Sequence, residues 1–142
     1  MALRRDPLDV EFSLLVRERA DWTCQKCGKH YPERKGQGLH CSHYWGRRNR
    51  ATRWYGENCF AHCFACHQYL GANPHEFAEW VREEIGGVRY DELMLRANSV
   101  KKYTKADRKD MLAHFKGERE RILQARALGK TGYIDFVEWD IG

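Results

Sequence analysis

Two Cys-x-x-Cys pairs, "CQKC" at 24–27 and "CFAC" at 63–66, constrain this chain more than any apolar pattern in it. Four thiolates drawn from two such knuckles can close a tetrahedron, which suits zinc because that ion has no d-electron preference to oppose it. Cys24, Cys27, Cys63 and Cys66 are therefore expected to hold a structural zinc that ties an early loop to a much later segment. The binding energy of such a site stands in for hydrophobic area that the stretch between the knuckles lacks. Cys41 and Cys59 are left over. Neither has an unused partner at knuckle spacing, so they read as buried small hydrophobes, with the alternative that either replaces one of the four ligands.

A cytoplasmic location is the expectation, and in a reducing cytosol six cysteines read as thiolate ligands or buried thiols rather than as disulfides. The start, "MALRRDPLDVEF", lacks the apolar core of a secretory signal, and the densest apolar run, "FSLLV", is too short to cross a bilayer. No membrane partner is expected. With 142 residues, 42% hydrophobic and 32% charged, the chain has the size and make-up of one soluble domain. Its formal charge of +5 is ordinary in size, so the placement of the basic residues matters more than their number.

The helical signals lie at the two ends. Leu8, Phe12, Leu15 and Val16 share a face of an opening helix over about 8–20, with Arg17 and Glu18 turned outward. "NPHEFAEWVREEIGG" predicts a second helix, with Asn73 as cap, Pro74 in the first helical position, Glu76 completing a capping box and Gly86 as the stop. Phe77, Trp80, Val81 and Ile85 then face inward. A short helix is expected through "YDELMLRA". A long one follows Thr104 to about Leu128, with Met111, Leu112, Phe115, Ile122 and Leu123 as its apolar stripe. The tail "TGYIDFVEWDIG" reads equally as a strand or a packed extension. Between Asp21 and about Gly71 helical periodicity fails and Cys, His, Gly and aromatic residues take over, so chemistry is sought there.

Within that region His43 ends the run "GLHCSH", while Asn58 and His67 bracket the second knuckle in "NCFAHCFACH". A His, an Asn and a His threaded around a zinc knuckle resemble the HNH, or His-Me finger, endonucleases of the subclass with a four-cysteine zinc site. The order "LDVEFSLLVRERADWTCQKCGKH", then "LHCSHYWGRRNRATRWYGENCFAHCFACHQYLGANPHEF", then a charged helical end, is similar to the phage NinG family, also called Rap, linked to recombination. The likeness extends to about Leu123.

The resemblance implies an α+β fold: a small ββα-metal core stapled by the four-cysteine zinc over about 21–85, an N-terminal helix, and a helical extension over about 88–142, all in one domain. It implies a metal-dependent DNA endonuclease that leaves a 5′ phosphate and a 3′ hydroxyl, acting on branched recombination intermediates such as Holliday junctions and D-loops. His43 would be the general base, a task imidazole suits because it titrates near neutrality. His67 would ligate a catalytic magnesium or manganese ion, and Asn58 would fix the loop that carries His43. Many members of the superfamily place a second metal ligand just before the base, where this chain has Ser42, a poor anchor. Side chains alternate along a strand, so His40 shares a side with Ser42 and is the candidate replacement.

In "YWGRRNRATRWYG", Arg47, Arg48, Arg50 and Arg53 are candidates to clamp DNA phosphates, Arg47 and Arg48 foremost; the plainer reading is a solvated loop over core aromatics. Lys101, Lys102, Lys105, Arg108 and Lys109 either extend that footprint or form a solvated helix face. Paired cuts in a four-way junction would favour a homodimer. The rival expectation is a zinc-stapled nucleic-acid-binding module with no hydrolytic activity, and a weaker one is an adaptor that binds recombination proteins through its C-terminal helix.

Overall fold

The opening helix starts because Asp6 caps it: the Asp6 carboxylate accepts from the Leu8 amide at 2.9 Å, and Pro7 has no amide to leave unpaired. The computed structural model describes residues 5–31 and 38–139. Helix α1, Pro7–Arg19, buries Leu8, Phe12, Leu15 and Val16, as the spacing predicts. Glu18 corrects the expected outward face. It is 2% exposed, because its carboxylate meets Arg126 of the last helix at 3.4 Å. Arg19 is also buried, donating to the Gly56 carbonyl at 3.2 Å and the Cys59 carbonyl at 2.6 Å. Arg17 is half-buried, its guanidinium lying over Trp22.

Chain reversal after α1 uses Asp21 and Trp22, both with φ of 54° in the left-handed region, which is costly for a bulky residue and is held here by burial of the indole. The turn delivers the first knuckle, where Thr23 bridges His30 and Gly28 takes the positive φ that closes the loop. Strand β1, Leu39–His43, then pairs antiparallel with β2, Cys59–Cys63, in a register that sets His43 opposite Cys59 and His40 opposite His62. Between the strands lie α2, Arg50–Arg53, and a tight turn at Gly56–Asn58.

After β2 come α3, Phe64–Ala72, α4, Pro74–Ile85, α5, Gly87–Ala97, and α6, Lys105–Ala127. The chain is thus a mixed α+β fold with a small two-stranded antiparallel sheet. Gly86, at φ of 86°, ends α4 as expected. The capping box expected at Asn73 and Glu76 does not form: the Asn73 amide donates back to the Tyr69 carbonyl, and Tyr69 donates to Glu76 instead. A capping box stands at Thr104 and Asp107, opening α6.

Three buried clusters hold these elements. Phe12, Leu15, Trp54, Met111, Phe115, Ile122 and Phe136 join α1, α6 and the tail. Trp22, Leu39 and Ala61 pack around Cys24 and Cys63. Phe60, Leu70, Phe77, Val81 and Leu93 join the other face of β2 to α3, α4 and α5. The tail is a packed extension rather than a strand through 139, and its last three residues lie outside those described. Among the described residues no helix is long and apolar enough to cross a membrane.

Candidate functional site

The two knuckles meet. Sulfurs of Cys24, Cys27, Cys63 and Cys66 all lie within 4.8 Å of one another, and Cys27 and Cys63 are 3.8 Å apart. That separation is far too long for a disulfide and matches the edge, about 3.8 Å, of a tetrahedron with zinc–sulfur bonds of about 2.3 Å. Hydrogen bonds set the approach: the Gln25 amide donates to the Ala61 carbonyl and the Ala61 amide to the Gln25 side chain, both at 2.8 Å, so the first knuckle is knitted onto β2. Cys63 ends β2 and caps α3, its sulfur accepting from the Cys66 amide at 3.4 Å. Burial raises the Cys24 thiol, but the amides of Cys27, Cys63 and Lys26 outweigh it and bring the group to about 7. Cys66 is pushed far up by burial and by the sulfurs beside it. Four sulfurs this close do not all ionise without a cation among them, and this donor set can hold a structural metal such as zinc.

A cleft of about 970 Å³ runs along the edge of β1 that does not pair with β2. Because an edge exposes both faces of a strand, the cleft collects Cys41 and His43 from one side and His40 from the other. His67 from α3, Asp9 and Arg17 from α1, and Arg47 and Arg53 complete its wall. His40 and His43 of β1 and the distant His67 of α3 therefore share one cavity.

Each histidine is oriented. The His43 Nε2 atom lies 3.0 Å from the Arg53 carbonyl, which only accepts, so Nε2 carries the proton and Nδ1 is left basic. Burial holds the His43 pKa below its ordinary value, partly offset by that hydrogen bond, which keeps the ring neutral near pH 7. His67 Nδ1 sits 3.2 Å from the buried Ser42 hydroxyl, and its ring stacks on His40 with centroids 5.4 Å apart. Burial, then neighbouring His67 and Arg17, also lower the His40 pKa. Ser42 thus touches His67 as an orienting partner, a role its residue type did not announce.

Asn58 is completely buried. Its side-chain carbonyl accepts from the Trp45 amide at 2.7 Å, and its amide donates to the carbonyls of Trp45 at 2.9 Å and Thr52 at 3.1 Å. The Tyr44 amide bonds the Asn58 backbone carbonyl at 2.9 Å. One residue therefore pins both ends of the loop that follows His43.

The arginines divide. Arg53 is not a free clamp: its Nε donates to Asp9 at 3.1 Å and its Nη2 meets the same carboxylate, while Trp54 Nε1 donates to Asp9 at 2.9 Å. Burial raises the Asp9 pKa, but Arg53 and Trp54 outweigh it and hold the carboxyl below its usual range. Arg47 is exposed and lines the cleft; Arg48 and Arg50 are exposed away from it. Arg17 lines the cleft and was missed by the sequence reading, which turned it to solvent. Arg108 is paired with Asp6, which removes it from the expected basic footprint. With Asp6 and Asp9 both neutralised by partners, the charge left facing the cleft among the described residues is positive.

Comparison with curated proteins and with solved structures gives no match. The family model described as "Bacteriophage Lambda NinG protein" matches residues 10–124, which take in most of α1, both knuckles, the sheet and nearly all of α6. On that match over most of its length, the chain belongs to the NinG family.

Proposed function

We propose that this protein is a metal-dependent DNA endonuclease of the HNH, or His-Me finger, class, stapled by a four-cysteine zinc and directed at branched recombination intermediates. The reading rests on one observation above the rest: His43, His40 and His67 line a single cleft whose unpaired charge is arginine. In this reading β1, β2 and α3 form the ββα core. His43 takes a proton from water at Nδ1, and the Arg53 carbonyl keeps the ring in the tautomer that allows it. When bound, a magnesium or manganese ion supplies Lewis-acid stabilisation of the charge that grows on the leaving oxygen. His67, held at Nδ1 by Ser42, offers Nε2 as a ligand, and the neutral His40 ring stacked on it is the second protein donor. Arg47 and Arg17 bind the phosphates flanking the cut, so affinity falls with added salt.

The test is a cleavage assay on supercoiled plasmid and on a synthetic four-way junction, with and without magnesium or manganese. Metal-dependent cutting is expected, with His43→Ala binding junction DNA normally while losing the general-base contribution, roughly 10²- to 10⁴-fold in rate. Undiminished cutting by clean His43→Ala protein refutes the base assignment. Junction binding with no cutting under any cation would make the chain a zinc-stapled binding module instead.

A further inference from the structure

The two cysteines that the four-cysteine cluster leaves unused belong to the core as expected, Cys59 within the main buried cluster and Cys41 packed against it, and they also lie beside His43. In the register of the ribbon Cys59 lies directly opposite His43, and Cys41 is two residues before His43 on the same face of β1. Their sulfurs and a ring nitrogen of His43 lie within 4.8 Å of one another. Cys59 is fully buried beneath, while Cys41 and His43 line the cleft, so an ion in the cleft reaches this cluster without the fold opening.

We infer that Cys41, Cys59 and His43 form a second, weaker site for a thiophilic cation, zinc above all, and that filling it disarms His43. Two thiolates and an imidazole with an open fourth position are a donor set that zinc takes readily and magnesium does not. Two thiolates also cancel the charge of the ion, so it can lie beside Arg17 and Arg47 without adding to the positive charge of that wall. The three donors must draw in by up to about 1 Å to reach the edge of a zinc tetrahedron, which is why this site is the weaker of the two. Cys41 and Cys59 are both free thiols, so both sulfurs are available as ligands.

The inhibitory consequence rests on the proposed role of His43 as base. Bound through Nδ1, the ion occupies the lone pair that accepts the proton; bound through Nε2, it displaces the Arg53 carbonyl and fixes the ring in the wrong state. Excess zinc would then silence the enzyme by taking its base, while the four-cysteine staple stays intact.

Protein carrying one equivalent of zinc is titrated with cobalt(II), reading the thiolate charge-transfer band, and separately with zinc, reading bound metal after equilibrium dialysis. Cys59→Ala and Cys41→Ala are titrated alongside, with melting temperature and the first zinc equivalent as controls for folding. The parent is expected to take a second equivalent with a new thiolate band, and both variants to lose it. Magnesium-dependent plasmid nicking by the parent is expected to fall as zinc is added, and the loss, measured within each protein against its own zinc-free rate, to be relieved in Cys59→Ala. A parent that stops at one equivalent, or folded variants that still take two, overturns the site. A second equivalent with nicking undiminished overturns the inhibition. Absence of nicking before zinc is added counts against the nuclease reading alone, because the second equivalent is still read directly.

Discussion

Replacing Asn58 separates a merely buried amide from one that organises the loop after His43. Asn58→Ala leaves the Trp45 amide and the carbonyls of Trp45 and Thr52 without their side-chain partner. The Thr52 carbonyl keeps the Tyr55 amide at 3.2 Å, so the amide and carbonyl of Trp45 are the groups left unpaired; at about 1–3 kcal/mol each, with half-buried Trp45 regaining some water on relaxation, the total is about 2–4 kcal/mol. For a chain of this size that lowers the melting temperature by about 10 °C. Asn58→Asp discriminates further. Its carboxylate can still accept from the Trp45 amide, but its other oxygen faces two carbonyls as an acceptor against acceptors. Near pH 7 the aspartate is therefore expected to be less stable than the alanine, although it is the closer isostere. Burial beside two carbonyls raises the pKa of that carboxyl above its unfolded value, and a raised pKa means stability that is present at low pH and lost as pH rises. The gap between the two variants should accordingly narrow from pH 7 toward pH 5 in melts followed by circular dichroism. An aspartate variant as stable as the parent near neutral pH would show that the amide does not donate to both carbonyls.

The other expectations concern the staple, the tail and the cleft wall. Cys24→Ser should lose one zinc equivalent, measured by elemental analysis, and melt earlier; full stoichiometry after the change removes Cys24 from the ligand set. Glu138, whose two oxygens each accept from the Gly56 amide at 2.8 Å, is raised by burial to about 7 against an ordinary 4.5. The folded state then holds its proton where the unfolded chain has released it, so stability falls as pH rises from 4.5 to about 7. Glu138→Gln should flatten that slope, by roughly 1–3 kcal/mol across the window, and an unchanged slope in denaturant titrations refutes the assignment. Asp9→Asn should cost about 2 kcal/mol by leaving Arg53 half-buried without its counter-charge, and it should weaken junction binding less than Arg47→Ala does.

Legibility followed the range of the interactions. Both knuckles could be read because each is complete within four residues, and the stripes of α1, α4 and α6 because helical periodicity is local. Glu18 and Arg19 were misread or passed over because their partners, Arg126 and the Gly56–Cys59 turn, arrive only when distant segments dock. The capping pattern at Asn73 was locally valid, yet α3 ends directly before α4, so Asn73 serves the end of the first helix with its amide. Ser42 and Cys41 needed the register of the ribbon: nothing in "LHCSH" says that the serine reaches His67 in α3 or that the cysteine meets Cys59 across the ladder.

Two strands of five residues each do not make a stable sheet alone, and every device around this ribbon compensates for that. At one end Cys63 binds β2 into the four-cysteine cluster and starts α3, so the staple that holds the strand also aims His67. At the other end Asn58 pins the loop from Trp45 to Thr52, and Arg53, held by Asp9 of α1, presents the carbonyl that orients His43. The two histidines therefore depend on different anchors. His67 answers to the sulfur cluster, whereas His43 answers to Asn58 and to the docking of α1, which α6 covers from behind through Phe12 and Phe115. A long C-terminal helix with no residue in the cleft is then part of the site's mechanics, since it seats the helix whose aspartate fixes the arginine that sets the imidazole.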